Sequence, residues 1–239
     1  MKKAVLLIHG FAGELKDHIY LEERLKKENF DVYTFLLPGH EKKLIRNVSR
    51  FDWINECEKQ LATIIKKGYD KIYVFGHSMG SLLAGYLATK HKEIDKLILS
   101  SPPYRFLAKD ENGIHPIKSI KLGWQLLRDK DAVQYSATSR IFRVTPYVTS
   151  QLVKLSKERI NDPKSITCPT LILEGSKDRL VPFESAKYAY DRLNTKVKKF
   201  IIVNDVNHPI FRSHRKDVAT IEVVAFLKND LHESEIINI

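Results

Sequence analysis

Long apolar runs are missing from this chain. Nowhere do its 239 residues approach the roughly 20 consecutive apolar positions that a membrane-spanning helix requires. The opening MKKAVLLIHG imitates a secretion signal, with two lysines before an apolar run. Ala4 to Ile8 is too short for a signal core, however, and no small-residue cleavage site follows, so the segment reads as a buried strand. Cysteine is scarce: Cys57 and Cys168 have neither metal nor redox spacing and give no basis for a disulfide framework. Also missing are a His-Glu-x-x-His helix, a dinucleotide or P-loop glycine pattern, internal repeats and low-complexity tracts. The expectation is a cytoplasmic protein, monomer or homodimer, with no metal, no cofactor and no stable membrane insertion.

What is present describes a globular chain long enough for one large core, with 43% hydrophobic and 29% charged residues. Lys and Arg outnumber Asp and Glu by 40 to 29, a formal charge of +11. Nucleic-acid binding would want clustered cations with aromatic support. Here the lysines are spread over segments such as RLKKENF and IIKKGYD, which reads as a solvated surface. Attraction of anionic substrates, or peripheral contact with an acidic lipid surface, stays open.

Five short apolar runs stand out: AVLLIH (4–9), KIYVFG (71–76), KLILSS (96–101), TLILEG (170–175) and KFIIVN (199–204). DVYTFLLPG (31–39) is a less pure sixth. Their near-continuity suits parallel strands covered on both faces. Segments with three- and four-residue apolar spacing lie between most of them: 19–28, 53–66, 79–90, 184–193 and 215–228. The alternation predicts an α/β fold, a doubly wound, mainly parallel sheet of about six strands, with functional groups on loops after strand ends. Residues 103–165 break the rhythm and are too long for a structureless loop. Ile117, Ile120, Trp124 and Leu127 share one face, as do Val148, Leu152 and Leu155, and Thr145-Pro146 reads as a helix start. The chain therefore divides into a core of 1–102 and 166–239 and a helical cap of 103–165, the alternative being a helical extension packed away from the site.

Ser78 stands between the strand KIYVFG and the helix MGSLLAGYLATK, with Gly76 and Gly80 two places to either side. A lone Gly-x-Ser-x-Gly is a weak signal, and a serine here could also be a helix cap or a surface hydroxyl. On a strand-to-helix turn, however, the serine is held at positive φ, and glycines relieve the crowding between positions 76 and 80. A serine nucleophile needs a histidine base oriented by a carboxylate. Asp178 follows TLILEG and His208 follows KFIIVN, giving the order Ser, Asp, His. Taken singly, Asp178 could be a turn residue and His208 a partly buried loop histidine. An oxyanion would be held by the N–H of Met79, at the start of the helix, and that of Phe11 in the loop HGFAG. His9 and His40 precede the nucleophile, His77 should point away from the site if Ser78 points into it, and His214 lies farther from a strand end.

HGFAG, LPGH, GHSMG, PTLILEGSKDRLVP and NHP, in that order, resemble the α/β-hydrolase superfamily. Within it, the chain is similar to small bacterial carboxylesterases and monoacylglycerol-lipase-like serine hydrolases, over roughly 3–101 and 166–228. The resemblance implies a Ser78–Asp178–His208 triad, Phe11 and Met79 as oxyanion donors, and a cap over an acyl pocket. Three departures are Glu41 after LPGH, where the family often has glycine, Asn207 before the histidine, which tolerates left-handed backbone, and a sheet that begins directly at the strand before HGFAG, without the first two antiparallel strands many relatives carry. The expected activity is carboxylic ester hydrolysis through an acyl-enzyme on Ser78, with small-molecule esters of short- to medium-chain acyl or aryl type. Monoacylglycerol lipase, thioesterase, acyltransferase and a non-catalytic binding protein are the alternatives. Tyr104, Phe106, Trp124, Phe142 and Tyr147 suggest an apolar pocket under the cap. The cap's twelve Lys/Arg against six Asp/Glu read first as a solvated outer face, with an anionic leaving group or an acidic lipid surface as the alternative.

Overall fold

The computed structural model describes residues 1–105, 109–110, 113–114, 136, 139–229 and 235–239. Its strands are β1 (Lys3–Ile8), β2 (Asp31–Thr34), β3 (Lys71–His77), β4 (Ile94–Ser100), β5 (Lys109–Asp110), β6 (Gly113–Ile114), β7 (Thr170–Gly175), β8 (Lys198–Val203) and β9 (Glu235–Asn238). Seven of them form one parallel sheet in the order β2-β1-β3-β4-β7-β8-β9, while β5 and β6 make a separate antiparallel pair. The helices are α1 (Ile19–Lys27), α2 (Arg50–Ile65), α3 (Met79–Lys90), α4 (Pro146–Arg159), α5 (Phe183–Arg192) and α6 (Lys216–Lys228). Among the described residues no helix is long and apolar enough to cross a membrane.

Burial on both faces explains why the strands read as continuous apolar runs. In β1, Ala4, Leu6 and Ile8 join the core layer built with Trp53 and Leu61 of α2 and Leu83 of α3. Val5 and Leu7 join the opposite layer, with Leu21 and Leu25 of α1 and Val223 and Leu227 of α6. Neighbouring residues of one strand thus serve two cores, so no polar alternation survives. The sheet exceeds the expected six strands by β9, an edge strand that pairs with β8 through Glu235 to Asn238. Its apolar content is two isoleucines, with Ile236 half exposed, and its run is too short to stand out.

Helix boundaries differ in instructive places. Helix α2 begins three residues before Trp53, because Ser49 and Asp52 form a capping box: Ser49 N–H donates to Asp52 Oδ2 at 2.8 Å and Asp52 N–H to Ser49 Oγ at 3.4 Å. The strand in 31–39 stops at Thr34, leaving Leu37 to His40 as a loop beside β1. Thr145 and Pro146 do start α4, although the threonine hydroxyl makes no cap. Val148, Leu152 and Leu155 are buried, and α4 packs on α2 and α3. Ile117, Ile120, Trp124 and Leu127 lie outside the described residues.

The chain lays β2 on one side of β1 and then crosses to lay β3 on the other. Between β1 and β3 the winding reverses, and a crevice opens beyond the strand ends at such a switch point. Ile8 pairs with Gly76 there, so the loops after β1 and β3 emerge side by side. Those loops carry Phe11 and Ser78.

Candidate active site

Ser78 links β3 to α3 with φ 54° and ψ −123°. A non-glycine residue held there costs about 1–3 kcal/mol, so its surroundings must impose it. Ser78 N–H donates to Ser100 O at 2.8 Å, tying the turn to β4. The buried Ser81 hydroxyl lies 2.7 Å from Gly76 O and 2.9 Å from Ser100 O and shares its proton between them. A Cβ on Gly76 would stand 2.2 Å from Gly80 O, the crowding foreseen across the turn. Gly80 answers a different need, since a Cβ there would meet Ile8 O at 2.3 Å. It lets α3 approach the end of β1.

The loop after β1 comes equally close, with a Cβ on Gly10 falling 3.1 Å from Ser78 Cβ. The left-handed residue that bends this loop is Ala12, at φ 54°. Two histidines from the motifs then pin it. His9 Nε2 accepts from Leu37 N–H at 2.9 Å, so its proton sits on Nδ1 and donates to Gly10 O at 2.8 Å. His40 Nε2 accepts from Ala12 N–H at 3.1 Å, so its Nδ1 donates to Leu37 O at 3.1 Å. Backbone N–H groups can only donate, which fixes both rings neutral and in the same tautomer. Burial pushes His9 down to about 3 and also lowers His40, consistent with two neutral rings. These side chains hold the loop that carries Phe11, while Met79 is buried at the first position of α3, where its N–H has no intrahelical acceptor.

Asp178 and His208 come together from the loops after β7 and β8. His208 Nδ1 donates to Asp178 Oδ2 at 2.6 Å. Leu180 and Val181 N–H groups donate to the other oxygen at 2.8 and 2.9 Å. Burial opposes ionisation of Asp178, but the His208 charge and these hydrogen bonds outweigh it, and its carboxyl lies below the ordinary value. Ser78, His208, Gly10 and Phe11 line one cavity of about 90 Å³ that opens to solvent. The left-handed residue in the loop before His208 is Asp205, at φ 60°, not Asn207.

Several side chains at the site are unannounced by the motifs. His77 does not point away; it lines the cavity, its ring 4.8 Å from that of His208 and its Nδ1 3.2 Å from Ser100 Oγ. Burial, then the charge of His208, drives its pKa well below the imidazole value. His214 is exposed. Glu174 is fully buried beside Asp178, and burial first, then the Asp178 charge, raises its carboxyl well above the ordinary range. Of these two neighbouring carboxyls, Glu174 keeps the proton and Asp178 the charge. Asp17, His18, Arg140 and Arg212 also line the cavity. The aromatic residues expected to form an acyl pocket do not line it where they are described. Phe142 and Tyr147 are 71% and 53% exposed, and Tyr104 is buried against Gly85. Phe106 and Trp124 lie outside the described residues. The apolar wall comes instead from Phe11, Ile141, Leu152, Leu180, Val181 and Ile210. Among the described residues no group of three or more His, Cys, Asp or Glu side chains could hold a metal ion.

The profile of the family described as Serine aminopeptidase, S33 matches residues 1–214. A carboxylesterase of Bacillus subtilis (strain 168) is 24% identical over 233 residues, covering 95% of this chain and 92% of that one. A thermostable monoacylglycerol lipase of Bacillus sp. (strain H-257) is 25% identical over 211 residues, 85% of this chain and 82% of the relative. The crystal structure of a Paleococcus ferrophilus monoacylglycerol lipase superposes with a TM-score of 0.70 at 22% identity, covering 94% of this chain and 93% of that one.

Proposed function

The chain belongs to the family described as Serine aminopeptidase, S33, and from that premise we propose that it hydrolyses carboxylic esters through an acyl-enzyme on Ser78. The observation that carries this reading is the Asp178–His208 hydrogen bond of 2.6 Å beside a cavity that His208 shares with a strained Ser78. His208 Nε2 takes the Ser78 proton as Oγ attacks the ester carbonyl carbon. The N–H groups of Phe11 and Met79 hold the oxyanion. As the carbonyl re-forms, the bond to the leaving oxygen breaks and His208 returns the proton to it. Water, deprotonated by His208, then attacks the acyl carbon and releases the acid and Ser78. Asp178 keeps the imidazole in the tautomer this sequence requires.

The relatives named carboxylesterase and monoacylglycerol lipase support ester chemistry, and the apolar side of the cavity suits an acyl chain. The monoacylglycerol reading differs in acyl length and alcohol, so rates on p-nitrophenyl esters of rising chain length and on monoacylglycerols separate the two. A cap over 103–165, on a core of 1–102 and 166–239, belongs to the same proposal. It is supported by Arg140, Ile141 and Leu152 in the cavity wall. Labelling with a fluorophosphonate probe tests the whole. Wild-type protein labels and Ser78→Ala does not; an unlabelled wild type, or equal labelling of the variant, refutes the serine-hydrolase reading.

A further inference from the structure

The cavity shared by Ser78 and His208 is not apolar throughout. Along one side Asp17 receives both Nη groups of Arg140 at 2.9 Å each, and Arg212 Nη1 at 3.2 Å. Burial would raise the Asp17 pKa, but the hydrogen bonds and charge of Arg140 overcome it and keep the carboxylate ionised. One carboxylate therefore faces two guanidiniums. Glu14 does not restore the balance: it lies 3.7 Å from Arg140 and is shared with Arg143 at 3.1 Å and Lys16 at 2.8 Å. Among the described residues, four cations, Lys16, Arg140, Arg143 and Arg212, stand against two carboxylates in this cluster.

The second observation is His18. It is 4% exposed, lines the same cavity, and neither ring nitrogen has a hydrogen-bond partner among the described residues. Arg140 Nε is buried and equally unpartnered among them. An unmet polar atom in a protein interior is destabilising, and so is an unmatched buried charge. A clamp meant to fasten Asp17 would need one arginine and no histidine. The surplus donors and the surplus charge have a common remedy, an anion in the cavity.

We propose that Arg140, Arg212 and His18 form a subsite for an anionic oxygen group, carboxylate or phosphate, carried by the ester substrate away from the carbonyl that Ser78 attacks. The proposal rests on the esterase reading and narrows it to esters with a negative charge on one side of the scissile bond. Arginine is suited to this role, because its planar fork can keep Asp17 on one edge and offer remaining donors to a second oxyacid.

Matched substrates test it. We compare kcat/KM for p-nitrophenyl butyrate with that for mono-p-nitrophenyl succinate, and for 1-butyrylglycerol with that for its 3-phosphate, so that carboxylate and phosphate are read separately. Wild-type protein should favour the anionic member of at least one pair by roughly tenfold. Arg212→Gln should bring that ratio close to one, and rising salt should lower it. Asp17→Asn, which removes the competing carboxylate, should raise it, an effect a purely structural clamp does not produce. A ratio unchanged in Arg212→Gln, with both esters slowed alike, overturns the subsite and leaves the esterase reading standing. If wild-type protein hydrolyses none of these esters, the esterase reading fails, and inorganic phosphate still decides the subsite. Thermal stabilisation of wild type by phosphate, lost in Arg212→Gln, supports it; no stabilisation overturns it.

Discussion

Replacing Asp178 by asparagine probes how the base is prepared, because it changes the chemistry of a single atom at nearly constant shape. Two backbone N–H groups, from Leu180 and Val181, point at Asp178 Oδ1. In Asp178→Asn they hold the amide oxygen on that side, since an NH2 group there would face two donors. The amide NH2 is then turned toward His208 Nδ1, where the carboxylate oxygen now stands at 2.6 Å. Two donors cannot share that contact, so Nδ1 becomes an acceptor and the imidazole proton moves to Nε2. A ring protonated on Nε2 cannot take the Ser78 proton. The loss known for this kind of tautomer reversal is about 10⁴-fold in kcat, or about 5.4 kcal/mol at 1.36 kcal/mol per decade. KM should change little, because Asp178 does not line the cavity among the described residues. The assay is steady-state hydrolysis of a p-nitrophenyl ester, with circular dichroism to verify folding. A kcat within tenfold of wild type refutes the tautomer argument and moves the orienting role to another acid, with the neighbouring Glu174 first in line.

Two further outcomes follow from the same geometry. Gly76→Ala places a Cβ 2.2 Å from backbone that cannot swing aside and should cost about 3 kcal/mol or more in urea unfolding. Gly68→Ala, at φ +66° with nothing within 4 Å, should cost only about 1–2 kcal/mol, and equal losses would discredit the crowding account. Glu174→Gln concerns pH. Because the folded state holds the Glu174 proton more tightly than the unfolded chain, which releases it near pH ~4.3, wild-type stability from this group falls as pH rises from there through the folded value. Glu174→Gln should therefore gain stability relative to wild type as pH rises above the unfolded value of about 4.3. Parallel stability–pH curves for the two proteins would show that Glu174 titrates normally.

The triad candidates were legible in the sequence because each depends on a local pattern, an apolar run followed by a loop, and on chain order. A strand buried on both faces leaves a continuous signature, and the sheet then delivers whatever follows each strand to one edge. Ser78, Asp178 and His208 needed no other information. The loop proposed to hold the oxyanion stood out through HGFAG, but the reason for His9 and His40 did not, because each works through a hydrogen bond to a segment 28 residues away. The charged wall had no local trace at all. Arg140 and Arg212 meet Asp17 across 123 and 195 residues, and an arginine destined for a cavity has the same flanking sequence as one destined for solvent. The aromatic content of 103–165 misled for the same reason, since composition does not say which way Phe142 or Tyr147 faces. Glu174 is the intermediate case. An acid inside TLILEG is conspicuous, because a strand covered on both faces has no solvent for it and must either pair it or keep it neutral. That choice is settled by Asp178, four residues on and already committed to His208, so the tertiary neighbour decides its protonation. Local periodicity thus encodes where Ser78, Asp178 and His208 arrive, and long-range pairing encodes the charged wall of the cavity beside them.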